Sequence, residues 1–338
     1  MKPFRELRTY AFSSQVQVDK PWVVLVRDPM CYTTAAFLER ALAKICNLIS
    51  IHFDIRVWLP DSVGLYAEGV IRRLGVRIPI DLSKWIPPGI NKKIDLFLVV
   101  DPIRLPFNLK SFRGITAYYA IDGNNPLTFD GHFRFAKVDE YDYVFVASKN
   151  DPERYRKRGC KNVYWLPLAC DPDFHKRYIV PLRYDVCFVG EVEWQGRKII
   201  KGIDYDARKR LINLLKRKFN TYVGKHYLHD MALTYSQSKI VFNMVKLDGL
   251  NMRIFEALGC GRLLVTNRVD NGVKDLFIDR KELVLYNDAN DLISLIQYYL
   301  DNEDERENIA QRGQEKVYAK HTYYHRAKAL LQKVGFNV

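Results

Sequence analysis

Arg253 and Glu256 stand three positions apart in NMVKLDGLNMRIFEALGCGRLLVTN (Asn243 to Asn267), and of all the side chains in this sequence they have the clearest chemical use. On a helix they share a face. The guanidinium is a planar fork that fits phosphate oxygens, and a carboxylate one turn further in can accept hydrogen bonds from ribose hydroxyls. Gly249-Leu250-Asn251 offers a glycine turn and a helix-starting residue, so free N–H groups and the positive end of the helix dipole suit the same diphosphate. Gly259 and Gly261 stop the helix, and Arg262 to Thr266 reads as the next strand. Asn243, at the end of the preceding apolar strand, is a further candidate ligand, with a turn former as its plainer reading. The plainer reading of Arg253 and Glu256 is a helix-surface ion pair.

Such a pair works only where strands hold its helix in place, and the chain supplies them on both sides. Tyr184 to Val189 (YDVCFV) reads as a strand ending in Gly190, Tyr205 to Lys218 as an amphipathic basic helix, and Ile240 to Met244 as the strand leading into the motif. A strand at Val284 to Tyr286 follows, then helices at Ala289 to Leu300, Glu303 to Tyr318 and Tyr323 to Val334. The first half alternates in the same way. Strands are expected at Trp22 to Arg27, Ile51 to Trp58, Ile94 to Val100, Ile115 to Ile121 and Tyr143 to Ala147, with helices at Thr33 to Leu48 and Val63 to Leu74. Continuous apolar strands separated by helices imply parallel sheets covered on both faces. Pro167 and Pro172 interrupt both periodicities between Trp165 and His175. The expected fold is therefore α/β, with two Rossmann-like doubly wound parallel-sheet domains, residues 1–170 and 171–320, and a ligand cleft between them.

Composition fits two ordinary soluble domains: 338 residues, 48% hydrophobic and 27% charged. No apolar run approaches the roughly 18 residues that span a bilayer, and MKPFRELRTYAF carries charges where a signal peptide would be apolar, so a cytoplasmic protein without a transmembrane segment is expected. Cys31, Cys46, Cys160, Cys170, Cys187 and Cys260 form no CxxC pair and read as reduced core thiols. No compact Asp-x-Asp stands in a suitable loop, so no metal is expected. The net charge of +14 is spread over Arg72-Arg73, Lys92-Lys93, Arg154 to Lys161, Arg197 to Lys201, Arg208 to Arg210 and Lys216 to Lys218. Each cluster reads first as a solvated helix face, and their sum suits an anionic donor, an anionic acceptor, a membrane surface or simply solubility.

Several ordered blocks resemble a known family: SKIVFN (Ser238 to Asn243), LNMRIFEALGCGRLLVTN (Leu250 to Asn267), LVLYNDANDL (Leu283 to Leu292), YYLDNEDERENIAQRG (Tyr298 to Gly313) and HTYYHRAKALL (His321 to Leu331). They resemble glycosyltransferases of the GT-B fold, most closely the group named for the spore-maturation protein CgeB, whose pattern couples an Asn-x-Arg-x-x-Glu helix to a small-residue turn. YAIDGNNPLTF, YDYVFVASKND and NVYWLPLACDPDFH match that group more loosely, and RDPMCYTT stands where a glycine-rich loop is common. In the wider retaining clade, marked by Glu-x7-Glu, the second acid matches Glu256 and the first position is Asp248.

The resemblance implies metal-independent transfer of a glycosyl group from a nucleotide-sugar to an acceptor hydroxyl. Glu256 would bind ribose, Arg253 with the Gly249 to Asn251 turn would bind diphosphate, and Gly190 would let backbone approach the nucleotide. Arg197, Lys198 or Lys201 would neutralise the leaving diphosphate, with solvated loop charges as their plainer reading. The final helix, residues 321–338, is expected to cross back onto the first domain. Asp122 is the candidate base for an inverting reaction, with Asp28, Asp101 and His132 as rivals and a turn-capping acid as its plainer reading; a retaining reaction requires no protein base. The acceptor is a protein, glycan or small-molecule hydroxyl, or a nucleic acid, which the +14 charge and 21 tyrosines would suit. A non-catalytic nucleotide-sugar-binding protein is the remaining reading.

Overall fold

The computed structural model describes residues 8–11, 16–52, 80–82, 86, 89–123, 125–192, 206–246 and 249–338. The helix expected over Val63 to Leu74, and the candidates Arg197, Lys198, Lys201 and Asp248, lie outside the described residues. The chain divides into two compact units, residues 1–167 with 324–338 and residues 168–323.

Among the described residues, the first unit forms a seven-stranded sheet. Its strands are β1 (Arg8–Ala11), β2 (Trp22–Arg27), β3 (Asn47–His52), β4 (Leu96–Val100), β5 (Ile115–Ala120), β6 (Tyr143–Val146) and β7 (Asn162–Trp165), in the order β1-β3-β2-β4-β5-β6-β7. All pairings are parallel except β1 with β3. Val23 to Val26 and Leu96 to Val100 are buried at every position, which is why these strands are apolar without alternation. Helices α1 (Thr34–Leu42), α2 (Pro126–Arg134) and α3 (Asp151–Arg156) belong to this unit. The helix expected over Thr33 to Leu48 ends at Leu42, and the strand expected from Ile51 starts at Asn47. Ile45 and Leu48 fit a helical stripe by spacing. The sheet wins because Asn47 is in register with Trp22 and its Nδ2 donates to the carbonyls of Gln17 and Lys20, both at 2.8 Å.

The second unit is a five-stranded, wholly parallel sheet of β8 (Tyr184–Val189), β9 (Thr221–Gly224), β10 (Ser238–Asn243), β11 (Leu263–Asn267) and β12 (Val284–Tyr286). Its helices are α4 (Ala207–Lys218), α5 (Leu228–Ser236), α6 (Met252–Gly259), α7 (Val273–Leu276), α8 (Ala289–Asp301) and α9 (Glu303–Lys320). A core of Val186, Phe188, Ile240, Phe242, Leu263 and Val265 is sealed by Leu292, Ile296 and Ile309. Strand order β12-β11-β10-β8-β9 places β9 on one side of β8 and β10 on the other. Connections leave in opposite directions there, so a crevice opens at the carboxyl ends of β8 and β10. The last helix, α10 (Tyr323–Lys333), starts at the unit boundary, and its Arg326 Nε donates to Pro167 O at 2.6 Å within the first unit.

Candidate functional site

The crevice of the second unit is spanned by one arginine. Arg253, in the first turn of α6, donates from Nε to Val189 O at the end of β8 (2.7 Å) and from Nη1 to Asn243 Oδ1 at the end of β10 (2.8 Å). Asn243 is fully buried, and its amide is spent on this frame: Nδ2 donates to Thr266 Oγ1 (3.0 Å) and Asn251 Oδ1 (3.3 Å), and Oδ1 also accepts from Asn251 Nδ2 (3.2 Å). Asn251 takes the N-cap position of α6 with extended backbone, yet its side chain makes no capping bond because it is turned to Asn243. The first N–H groups of α6 are thus left to a ligand or water. Gly249, two residues earlier, is buried.

Gly190 fits this frame for two reasons. Its φ of +145° is strained for any side chain, and a Cβ there would come within 2.2 Å of Arg253 Nη2. Gly190→Ala is therefore expected to cost about 1–3 kcal/mol of stability and to displace the guanidinium. Thermal unfolding checks this, and adding Arg253→Ala should relieve the clash but not the backbone strain. An unchanged melting temperature for Gly190→Ala would contradict the geometry.

A second arginine joins the first. Arg208, in the first turn of α4, donates to Glu191 O and Met244 O, both at 2.8 Å, and lies 5.5 Å from the centre of the Phe188 ring; Arg253 lies 4.8 Å from the same ring. Burial, and then the positive charge of Arg253, push Arg208 down to about 10. Among the described residues neither guanidinium has a carboxylate in ion-pair range. Among the described residues, two like charges share one crevice with no carboxylate in ion-pair range, an arrangement that an anion relieves.

Glu256 lies one turn further along α6, with its side chain 13% exposed. Burial pushes its carboxyl up to about 7, against the pull of Arg253. His175, completely buried, stands behind it, its Nε2 3.8 Å from Glu256 Oε1, and burial pushes the imidazole down to about 3. Its Nδ1 accepts the Asp171 N–H at 2.9 Å, so the neutral ring carries its proton on Nε2, toward the carboxyl. Sequence reading missed both Arg208 and His175. Arg208 did carry a signal: it falls on the stripe of Ile212 and Leu215, the buried face of α4.

Asp122 belongs to the first unit. It is exposed, two residues past the end of β5, and its N–H donates to Asp101 Oδ2 at 3.2 Å. Asp101 and His132 are buried and paired at 3.3 Å, and Asp28 is buried with its carboxylate accepting from Met30 N (2.8 Å) and Thr33 Oγ1 (3.2 Å). All three rivals are buried and held by partners within the first unit. The Asp28 bonds build the turn that stands in place of a glycine-rich loop. Among the described residues, no group of three His, Cys, Asp or Glu side chains is placed to hold a metal ion, and no helix is long and apolar enough to cross a membrane.

Residues 182–332 match the profile of a family described as glycosyl transferase-like. Solved structures resemble the chain over nearly its whole length at low identity. Sucrose-phosphate synthase from Thermosynechococcus elongatus is 14% identical, with a TM-score of 0.59 covering 93% of this chain and 98% of that one. The HepE protein of Anabaena, solved with UDP-glucose, is 12% identical, with a TM-score of 0.56 covering 92% and 99%. A UDP-forming trehalose-phosphate synthase from Burkholderia xenovorans is 11% identical, with a TM-score of 0.61 covering 92% and 98%. No curated protein matches the sequence significantly. The fold is GT-B, and the second unit carries the glycosyl transferase-like sequence.

Proposed function

We propose that this chain transfers a glycosyl group from a nucleotide-sugar to an acceptor hydroxyl, and we assign it to the CgeB-like group on the ordered sequence blocks. The observation that carries the reading is the pair Arg208 and Arg253, two guanidiniums without a carboxylate partner among the described residues, beside the uncapped start of α6. A diphosphate would bring negative charge to both guanidiniums. Its oxygens would meet Arg253 and the first N–H groups of α6, with Arg208 adding positive charge behind them. As the glycosyl bond breaks, negative charge grows on the diphosphate, and fixed guanidiniums in a half-buried site stabilise it without reorganising, the role a metal ion takes elsewhere. Arg197 and Lys201 are proposed to add charge to the same leaving group. The ribose hydroxyls would donate to Glu256, whose ionised form is the stronger acceptor and the only one that can accept at both oxygens without donating. Asp122 is proposed as the base if the reaction inverts the anomeric centre.

UDP-glucose, bound by a structural neighbour, is the first donor to test. Its diphosphate is esterified at both ends and keeps the same two negative charges across neutral pH, so pH dependence of binding reports on the protein. With Glu256 at about 7, affinity is expected to rise about tenfold between roughly pH 6 and 8. Glu256→Gln should bind more weakly and lose that dependence. Stability runs the opposite way. The raised carboxyl favours the folded state fully below the ordinary value of 4.5, and this contribution is lost as pH rises through about 7. Calorimetric titration at several pH values decides the matter. If no UDP-, GDP- or ADP-sugar binds at any pH, the donor site is wrong. If binding occurs but is flat in pH, only the ribose role of Glu256 fails.

A further inference from the structure

We infer that the amino-terminal edge of the second unit's sheet is a docking surface for an anionic lipid bilayer. The segment Lys176 to Arg183 (KRYIVPLR) is fastened at both ends: Tyr178 N donates to Ser236 Oγ at 2.9 Å, the Tyr178 hydroxyl meets His229 Nδ1 at 3.0 Å, and Arg183 N donates to Gln237 O at 2.7 Å. Between these anchors Ile179 is fully exposed and Leu182 is 40% exposed. A pinned segment that turns two aliphatic side chains to water gains nothing from them within the unit.

The charge lies beside them. Asn220 Nδ2 donates to Arg183 O at 2.7 Å, which brings the end of α4 against this segment. The last turn of α4 is Lys216-Arg217-Lys218, all three exposed, and Lys176 and Arg183 are exposed as well. From Ala207 to His229 the sequence contains no acidic residue. Two acids at this edge, Asp185 and Glu307, are engaged with Lys239 and Arg177 at 2.8 and 2.9 Å, while Asp173 and Asp230 are exposed. Basic residues in a last turn do complement the helix dipole, but that leaves Ile179 and Leu182 unexplained.

An anionic bilayer accounts for both features. Headgroups offer negative charge to five basic side chains, and the boundary with the acyl chains takes up the two aliphatic ones. A nucleic acid would answer the charges alone, since neither Ile179 nor Leu182 has a ring to stack on bases. The surface lies where β8 begins, and Gly190 and Arg253 lie where it ends, so docking here leaves the arginine crevice untouched. The inference does not depend on which donor that crevice takes.

The test is co-sedimentation of the full chain with vesicles of pure phosphatidylcholine and of equimolar phosphatidylcholine and phosphatidylglycerol. Binding is expected to the anionic vesicles only, with release at high salt. Lys216→Gln/Arg217→Gln/Lys218→Gln should abolish it, and Ile179→Ser/Leu182→Ser should weaken it about tenfold. Both variants change exposed positions and should keep the wild-type melting temperature. Equal partition onto neutral vesicles, no binding to either kind, or full binding by the serine variant would overturn the inference. So would retention of the wild-type chain on poly(U) RNA but not on anionic vesicles, which would reassign the patch to nucleic acid.

Discussion

Arg253→Ala is expected to weaken UDP-glucose binding about 100-fold while leaving the second unit folded. The size follows from what one guanidinium does in the crevice. A charge-assisted hydrogen bond contributes about 1.5–3 kcal/mol, and a loss near 3 kcal/mol corresponds to about two decades in Kd. The variant also removes the clamp between Val189 O and Asn243 Oδ1, so α6 loses its attachment to both strand ends. Arg253→Lys is the sharper test. It keeps the charge but not the planar fork that reaches both acceptors, so an intermediate loss of about tenfold is expected. Titration calorimetry reads both. Wild-type affinity in the alanine variant would move the diphosphate away from this crevice altogether.

Asp101→Ala is expected to cost the first unit about 3–5 kcal/mol, lowering its melting temperature by about 10 °C. Asp101 Oδ1 accepts from Arg104 Nε at 3.0 Å, Oδ2 faces His132 Nε2 at 3.3 Å, and all three side chains are at most 1% exposed. Burial alone would raise this carboxyl, but Arg104 and His132 hold it well below the usual carboxylate range. Its contribution is therefore present above the ordinary value of 3.8 and is lost only as pH falls below it, toward the lower folded value. Removing the acid takes from the buried Arg104 the carboxylate that accepts its Nε at 3.0 Å. The double change Asp101→Leu/Arg104→Met should cost less than Asp101→Ala, because the buried guanidinium is removed together with its main acceptor. Scanning calorimetry distinguishes the two, and a single variant within 1 kcal/mol of wild type would show that the cluster is not coupled.

Much of this frame was legible in the chain. The apolar runs YDVCFV and SKIVFN gave β8 and β10, and the Gly249 to Asn251 turn gave the start of α6, because burial on both faces and a helix N-cap leave local signatures. Long-range contacts left none. His175 lies in a proline-interrupted stretch, and only folding sets it behind Glu256. A carbonyl-to-helix contact makes that approach possible: a Cβ on Gly259 would come within 2.9 Å of His175 O. Helix α2 was not anticipated, since Pro126 and Gly131 mask its period. At Gly190 the sequence suggests backbone approach to a ligand, and the structure adds that a side chain there would meet Arg253. That assignment needed the distance between two side chains, which spacing does not encode.

The Gly190–Arg253 contact also bears on inheritance. Because the guanidinium occupies the volume that a side chain at position 190 would fill, the two positions form one unit for selection despite their distance along the chain. A lineage that enlarged residue 190 would have to shorten or abandon the arginine, so ancestry should record changes at the two positions together.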